Sequence, residues 1–223
     1  MDLNYKETEE YWDSVFEKQK TYDPFIKLPY VELEEAIQWL CHNSKLILDF
    51  GCGTGRVLSR CFDYDIDSIY GIDLSVNAIN LAQQIMGKNN LKDNSYYICG
   101  DIESLYKMNA NQFDGVILFN IIDNLKPEDG IIVIEEIHRI LKPNGKVILK
   151  LNPYLSSQEL EKNKEFKKIS TKFYKESSGL YLLNISNDLL KEITTPYFNI
   201  FKYKKVEFEE YNVTNRLFYL QKA

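Results

Sequence analysis

The chain has 223 residues, 44% of them hydrophobic, and its 27 basic and 33 acidic side chains give a net charge of −6. This length and composition suit one α/β domain with a sizeable core, and the negative charge argues against a nucleic-acid-binding surface. Four cysteines without C-x-x-C spacing and two histidines form neither a zinc pattern nor a disulfide framework, and we expect no membrane span, no secretory leader and a cytoplasmic location.

Residues 1–44 are predicted to form a helical cap. Aromatic and apolar residues recur at helical spacing over residues 7–20, with Tyr11 on the apolar face. Pro24 ends this segment, because the residue before a proline is pushed out of the helical region. A second helix is predicted over residues 30–42, with Leu33, Ile37 and Leu40 facing inward.

An apolar run at residues 46–50 leads into a loop with glycines at alternate positions, Gly51, Gly53 and Gly55. Glycine accepts positive φ and has no Cβ, so a ligand can lie against bare backbone. A strand, a glycine loop and a following helix predict a parallel α/β sheet with a nucleotide-like cofactor at the loop. The dinucleotide fingerprint G-x-G-x-x-G places its third glycine one residue later, which argues against an NAD-dependent oxidoreductase but leaves it as an alternative.

Two further β-rich runs end in acids, Asp73 and Asp101. In a doubly wound sheet, a carboxylate at the end of the second strand can accept hydrogen bonds from ribose hydroxyls. Either acid can instead cap a helix, although Ser75 is the better N-cap after Asp73 and leaves that acid available to a ligand.

A long apolar run over residues 113–125 is typical of a fully buried parallel strand. Pro127 suits the first position of the next helix, and residues 146–151 are predicted to be the fifth strand. Strands that alternate with helices of this size require parallel pairing and right-handed crossovers.

This order of motifs resembles the class I S-adenosylmethionine-dependent methyltransferases, whose first motif D-x-G-x-G-x-G matches residues 49–55. The resemblance covers residues 46–151 and is weak in the tail. It implies an α/β, doubly wound, seven-stranded and mostly parallel sheet of the Rossmann-like methyltransferase type, with an antiparallel last strand and an N-terminal helical lid. It also implies S-adenosylmethionine as cofactor and S-adenosylhomocysteine as product.

The resemblance implies a role for each matching residue. Asp73 would bind the ribose hydroxyls, Asp101 the adenine amino group, and the backbone N–H of Ile102 a ring nitrogen. Asn120 and Asp123 would lie nearest the methyl group and are the candidate catalytic residues. Family members often carry a histidine where Asp123 stands, so the identity of any catalytic base stays open. The implied cofactor-binding set is Asp49, Gly51, Cys52, Gly53, Gly55, Arg56, Asp73, Leu74, Asp101, Ile102, Asn120, Tyr11 and Trp12, with no metal.

Three more of these residues, like the two acids, have a structural alternative. Arg56 either pairs with the cofactor carboxylate or lies on a helix surface. Tyr11 and Trp12, together with Tyr22, either cover the cofactor or belong to a helix that packs on the sheet edge.

Residues 152–223 differ in composition from the core. Lysines are interspersed with glutamates over residues 159–176, and the mixed signs predict a solvated helix with intrahelical pairs, or else a phosphate- or RNA-binding patch. A further helix is predicted over residues 186–193, and two strands, over 199–203 and 214–221, form the edge hairpin that the resemblance implies. Asn152 begins a turn that leads into this substrate-covering segment and can reach the pocket.

The sequence therefore predicts one methyltransferase domain over residues 1–223, made of a cap (1–44), a cofactor-binding core (45–151) and a substrate-covering segment with the last strands (152–223). The expected reaction is in-line transfer of a methyl group to a small-molecule acceptor. The alternatives are a methyltransferase that acts on RNA or protein, and an inactive protein that only binds S-adenosylmethionine. Neither nucleic acid nor a membrane is an expected partner, and the oligomeric state is open.

Overall fold

The structure, a computed structural model, describes residues 5–223, so the first four residues of the predicted cap lie outside the described residues. The described helices are α1 (Lys6–Glu17), α2 (Val31–Cys41), α3 (Val76–Lys88), α4 (Glu103–Tyr106), α5 (Pro127–Ile140), α6 (Ser157–Lys162) and α7 (Asn187–Thr194). The described strands are β1 (Leu46–Phe50), β2 (Ser68–Asp73), β3 (Ser95–Cys99), β4 (Phe113–Phe119), β5 (Leu141–Leu151), β6 (Phe166–Ser170), β7 (Phe173–Glu176), β8 (Tyr181–Leu183), β9 (Phe198–Phe208) and β10 (Val213–Lys222).

Within residues 5–223, seven strands form one sheet in the order β3-β2-β1-β4-β5-β10-β9. The first five strands in the chain pair in parallel, and β10 lies antiparallel to both β5 and β9. This confirms the predicted doubly wound sheet with an antiparallel last strand. The strand order reverses between β1 and β4, and ligands of such sheets bind at that point.

Helices cover both faces of the sheet. One core contains apolar residues of α4 and α5, and the other those of α2 and α3. The central strands are buried on both faces, as the unbroken apolar run in β4 predicted. Ser75 caps α3 by accepting a hydrogen bond from the backbone N–H of Ala78 at 3.1 Å, as predicted. No helix within residues 5–223 combines the length and apolar character that crossing a membrane requires.

The predicted lysine-rich helix over residues 159–176 is wrong. A capping box at Ser156 starts α6, but that helix ends at Lys162. The chain then forms β6, β7 and β8, a small antiparallel sheet. Phe173 of this sheet is buried against the main core. Burial of that ring and its neighbours outweighs the helix propensity of the lysines and glutamates, which is small per residue.

Candidate functional site

A cavity of about 920 Å³ opens at the carboxyl edge of the parallel strands. Its wall comes from α1, from the glycine loop and from the ends of β2, β3, β4 and β5. The small sheet and the β9–β10 connection close the remaining sides. Eight predicted site residues line the cavity: Trp12, Gly51, Gly53, Asp73, Leu74, Asp101, Ile102 and Asn120. The other predicted residues, Tyr11, Asp49, Cys52, Gly55, Arg56 and Asp123, do not line it.

The glycine loop presents bare backbone to the cavity. Gly51 and Gly53 have φ values of +83° and +52°, which side chains other than glycine rarely adopt. A Cβ on Gly51 would overlap Cδ1 of Ile121, and one on Gly53 would lie 3.1 Å from Cζ of Phe16. The loop leads into a 3₁₀ helix at Leu58–Tyr64 rather than the α-helix that the sequence suggested.

Asp73, at the end of β2, holds the loop in place. Its Oδ2 accepts the Gly53 N–H at 2.7 Å, and its Oδ1 accepts the Ser75 N–H at 2.9 Å. Burial raises the pKa of this carboxyl, and the two backbone bonds oppose the rise. Each carboxylate oxygen keeps a second lone pair. The group can therefore still accept two hydroxyl hydrogen bonds from a ligand.

Asp49 and Cys52 are buried next to this carboxylate. Burial and the nearby charge of Asp73 raise the pKa of Asp49 well above its usual range, and Asp49 Oδ1 has no hydrogen-bond partner among the described residues. The Cys52 sulfur packs close to the position that a Cβ on Gly71 would occupy. The small cysteine side chain fits beside Gly71. Burial raises the pKa of the Cys52 thiol, so the thiol stays protonated.

Asp101, just after β3, both accepts a hydrogen bond at the start of α4 and lines the cavity. Its Oδ1 accepts the Glu103 N–H at 3.0 Å, which supports the start of α4. The residue also lines the cavity together with Ile102 and Leu74. The predicted cap and the predicted ligand site are therefore compatible.

Helix α1 lines one side of the cavity and is anchored by hydrogen bonds near both of its ends. At its start, the Tyr5 hydroxyl donates to Oδ2 of Asp129 at 2.7 Å. Near its end, Asp13 accepts hydrogen bonds from the Ser75 hydroxyl and the Asn77 N–H. Trp12 and Phe16 stack on each other and line the cavity.

Tyr11, which was predicted to cover the cofactor, packs edge-on against the Trp12 ring and does not reach the cavity wall. Arg56 also lies away from the wall. Its Nη1 donates to the Asp23 carbonyl at 2.8 Å, and its guanidinium lies 4.7 Å from the centre of the Tyr22 ring. Tyr22 in turn donates to the Thr54 carbonyl at 2.8 Å. These contacts fit the structural alternative for Arg56.

Beyond β4, a chain of hydrogen bonds lines the opposite end of the cavity. Lys150 Nζ donates to Asn120 Oδ1, and Asn120 Nδ2 donates to Asn152 Oδ1. The Asn152 N–H donates to Asp123 Oδ2 at 2.6 Å. Arg216 closes the chain by donating from Nε and Nη2 to the Asn152 carbonyl, at 3.0 and 2.8 Å. We call these five residues the amide chain.

Burial shifts two pKa values in the amide chain. Burial raises the pKa of Asp123 to about 6, although the Asn152 N–H and the nearby cations oppose the rise. Burial likewise lowers the pKa of Lys150 to about 8, against the attraction of Asp123. Asp123 is only 2% exposed and lies behind the wall, so it contacts the cavity through Asn152.

The sequence analysis missed Lys150, Asn215 and Arg216 as site residues. The sequence did contain an indication of Lys150, because a lysine interrupts the apolar run of β5 near the end that faces the site. Asn215 and Arg216 are brought to the site by the pairing of β10 with β5, which places Arg216 opposite Leu151. Among residues 5–223, no group of three or more His, Cys, Asp or Glu side chains could hold a metal ion.

Comparison with known proteins identifies the fold's family. Residues 48–149 match the family model described as a methyltransferase domain. This region contains the glycine loop and the strands that end at the cavity. This match, together with the fold, supports a class I S-adenosylmethionine-dependent methyltransferase domain over residues 48–149.

Two curated relatives show how varied the similar proteins are. The tRNA N(3)-cytidine methyltransferase METTL2 of Gallus gallus is 27% identical over 157 residues, which cover 67% of this chain and 41% of that protein. The demethylmenaquinone methyltransferase of Leptospira interrogans is 32% identical over 103 residues, which cover 44% and 39% respectively. The matches thus span about two fifths of these relatives.

A solved structure shares the fold over almost its whole length. The N-methyltransferase NodS of Bradyrhizobium japonicum WM9, in complex with S-adenosylhomocysteine, superposes with a TM-score of 0.65 at 14% identity. The superposition covers 95% of this chain and 98% of that one. At this identity the likeness shows the fold alone.

Proposed function

We propose that this methyltransferase transfers a methyl group from S-adenosylmethionine to a small-molecule acceptor enclosed in the cavity. The observation that carries the proposal is the cavity itself. Its volume of about 920 Å³ lies at the upper end of the range of small-molecule sites, so a nucleoside cofactor and a small acceptor fit together. It lies at the point where the strand order reverses, where ligands of this fold class bind.

The residues present fit the cofactor. The unpaired lone pairs of Asp73 suit two ribose hydroxyls, and Asp101 and Ile102 suit a purine edge. Asp49 is not among these contacts, because its buried carboxyl does not line the cavity. The bare backbone of Gly51 and Gly53 leaves room for close approach. Tyr11 and Arg56 are no longer part of the proposed set, because their side chains are engaged elsewhere.

When bound, S-adenosylmethionine supplies a methyl group that its sulfonium sulfur already activates, so the protein has to position and shield the acceptor. Trp12 and Phe16, which line the cavity from α1, would exclude water. Asn120 is our candidate for orienting the acceptor, because its side chain lines the cavity and is fixed by two hydrogen bonds. We propose Asp123 as a positioning residue that fixes Asn152, rather than as a base in contact with the acceptor.

Calorimetric titration of the pure protein with S-adenosylhomocysteine tests the cofactor site. We expect binding tighter than millimolar and a loss of at least about tenfold in Asp73→Asn, because a hydrogen bond to a charged group contributes about 1.5–3 kcal/mol. The matched control is Asp67→Asn, an exposed acid just before β2 that pairs with Lys45. Binding weaker than millimolar, or equal effects of the two variants, would defeat the proposal.

A screen for the acceptor completes this test. Protein, methyl-labelled S-adenosylmethionine and a metabolite extract are incubated, and mass spectrometry searches for products that carry the label. Labelled small molecules are expected. Cofactor binding with no labelled product from any extract, RNA or protein fraction would favour an inactive binding protein.

A second candidate function is methylation of RNA, which one surface favours. Six lysines and a single glutamate lie between residues 162 and 175, where they surround the β6–β7 hairpin beside the cavity. One curated relative is named a tRNA methyltransferase. RNA binding that weakens with salt and is lost on changing Lys164, Lys167 and Lys168 to glutamine would favour this function. The control changes Lys202, Lys204 and Lys205 on β9, a second lysine group on another edge.

A further inference from the structure

Lys150 is an isolated cation in an acidic cavity. Within residues 5–223 it is the only basic side chain on the cavity wall, which also carries six acids: Glu9, Asp73, Asp101, Glu103, Asp129 and Glu176. The residue is 9% exposed. Its Nζ donates to Asn120 Oδ1 and lies 5.4 Å from the ring centres of both Phe119 and Phe208. Within the described part of the chain it forms no ion pair with a carboxylate.

The charges around Lys150 do not balance. Arg216 also points into the amide chain, and Asp123 is the acid whose charge acts on both cations. Two positive groups and one negative group leave an excess of one positive charge at this end of the cavity. Asp123 already accepts the Asn152 N–H at 2.6 Å. A buried cation without a counter-ion is unfavourable, so this end of the cavity is suited to an anion.

A second unsatisfied group lies at the same end. Asn215 lines the cavity and is 6% exposed, and its Oδ1 is buried without a hydrogen-bond partner among residues 5–223. Phe119, Phe208 and Tyr211 are among the aromatic residues of the wall. The site therefore offers donors at Lys150, an acceptor at Asn215, and aromatic surface beside them.

We infer that the Lys150 end of the cavity binds a methyl acceptor that carries an anionic oxygen, as a carboxylate or an ionised phenol or enol, on an apolar body. This inference rests on the proposed function, since it identifies the class of acceptor for that site. Lys150 would hold the anionic oxygen, and Asn215 Oδ1 would accept a hydrogen bond from the same molecule. The aromatic residues would contact its apolar body.

The test compares the affinity of the protein for a charged ligand with its affinity for a neutral ligand of the same shape, and it needs no activity assay. We call this difference the charge preference. Benzoate and its neutral isostere benzamide are titrated into the protein by calorimetry, with and without saturating S-adenosylhomocysteine. We expect benzoate to bind at least about tenfold more tightly than benzamide, as a charged hydrogen bond in a buried site allows. Lys150→Met should abolish the preference, and Lys150→Arg should retain most of it.

Lys146→Met is the matched control, because Lys146 lies four residues earlier on β5 and contacts the Trp39 and His42 carbonyls instead of the cavity. Para-nitrophenol provides the phenolate arm, since its absorbance reports whether Lys150 stabilises the ionised form. Equal binding of benzoate and benzamide together with no change in nitrophenol ionisation would overturn the inference, as would a preference that survives Lys150→Met.

The two proposals can fail separately. Loss of charge preference while S-adenosylhomocysteine still binds would overturn the acceptor class and leave the proposed function standing. A failure of S-adenosylhomocysteine to bind would count against the proposed function, while the titrations without it still report on Lys150. Retained S-adenosylhomocysteine binding in Lys150→Met would show that this variant is folded.

Discussion

Replacing Lys150 by methionine should make the protein more stable at neutral pH. Burial lowers the pKa of Lys150 from 10.5 to about 8. That shift of about 2.5 pH units corresponds to a cost of about 3 kcal/mol for keeping the charge in the folded protein at pH 7. Methionine fills a similar volume without the charge, but it leaves Asn120 Oδ1 without its lysine donor, a loss of about 1–2 kcal/mol. We expect a net gain of about 1–2 kcal/mol in the free energy of unfolding.

The pH dependence of this stability gain shows whether the buried charge of Lys150 causes it. Because the pKa of Lys150 is lower in the folded state, the unfolded chain binds the additional proton between about pH 8 and pH 10.5. The contribution of Lys150 therefore becomes less unfavourable as the pH rises through this window. The advantage of Lys150→Met should shrink over the same window, since methionine does not titrate.

Urea unfolding, followed by tryptophan fluorescence at neutral and at alkaline pH, measures both effects. Lys168→Met, a change at an exposed lysine of β6, controls for the loss of a lysine as such and should change stability by less than about 0.5 kcal/mol at either pH. A Lys150→Met variant no more stable than the unchanged protein at neutral pH, or an advantage independent of pH, would refute the reasoning.

Three further substitutions test the glycine loop, helix α1 as a lid, and the buried ion pairs of Arg60. Gly51→Ala should destabilise the protein by about 2 kcal/mol or more and abolish S-adenosylhomocysteine binding, because its Cβ would overlap Ile121. The matched change Gly87→Ala, in α3 with no atom within 4 Å of the new Cβ, should stabilise by about 0.5–1 kcal/mol; equal unfolding midpoints would contradict this pair. Asp13→Ala should speed S-adenosylhomocysteine dissociation about tenfold in stopped-flow fluorescence, since two hydrogen bonds that hold α1 are lost, and an unchanged rate would argue against a lid. Arg60→Met should lower the unfolding free energy by about 3 kcal/mol in urea, because Arg60 is fully buried and pairs with two acids; a loss below about 1 kcal/mol would show that these pairs contribute little.

The part of the cavity that we propose for the cofactor could be predicted because its geometry follows from chain order. Parallel strands place their carboxyl ends at one edge, so the acids that end β2 and β3 come together without any knowledge of side-chain packing. Asp73 and Asp101 accordingly line the same cavity as Gly51 and Gly53. The glycine spacing and these two acids together were sufficient to predict that the loop and the acids line one cavity.

Side-chain direction in the loop could not be predicted in the same way. Arg56 follows the glycines in sequence, but its guanidinium contacts Tyr22 and the Asp23 carbonyl from the segment between α1 and α2. Tyr11 and Trp12 are neighbours on α1, and only Trp12 lines the cavity, because adjacent helical residues differ in direction by about 100°. Such choices depend on contacts between distant segments, which one sequence does not reveal.

The Lys150 end of the cavity was harder to predict, because it depends on the antiparallel pairing of the last strands. Arg216 reaches the Asn152 carbonyl because β10 lies beside β5 in a register that pairs Arg216 with Leu151. A shift of one residue would turn Arg216 to the other face of the sheet. Asp123 thus has a different proposed role from the one that its position after β4 suggested. It fixes Asn152 through the backbone, and Asn152 in turn orients Asn120 and Lys150 toward the cavity, so a change at Asp123 should act on the acceptor through these side chains rather than by direct contact.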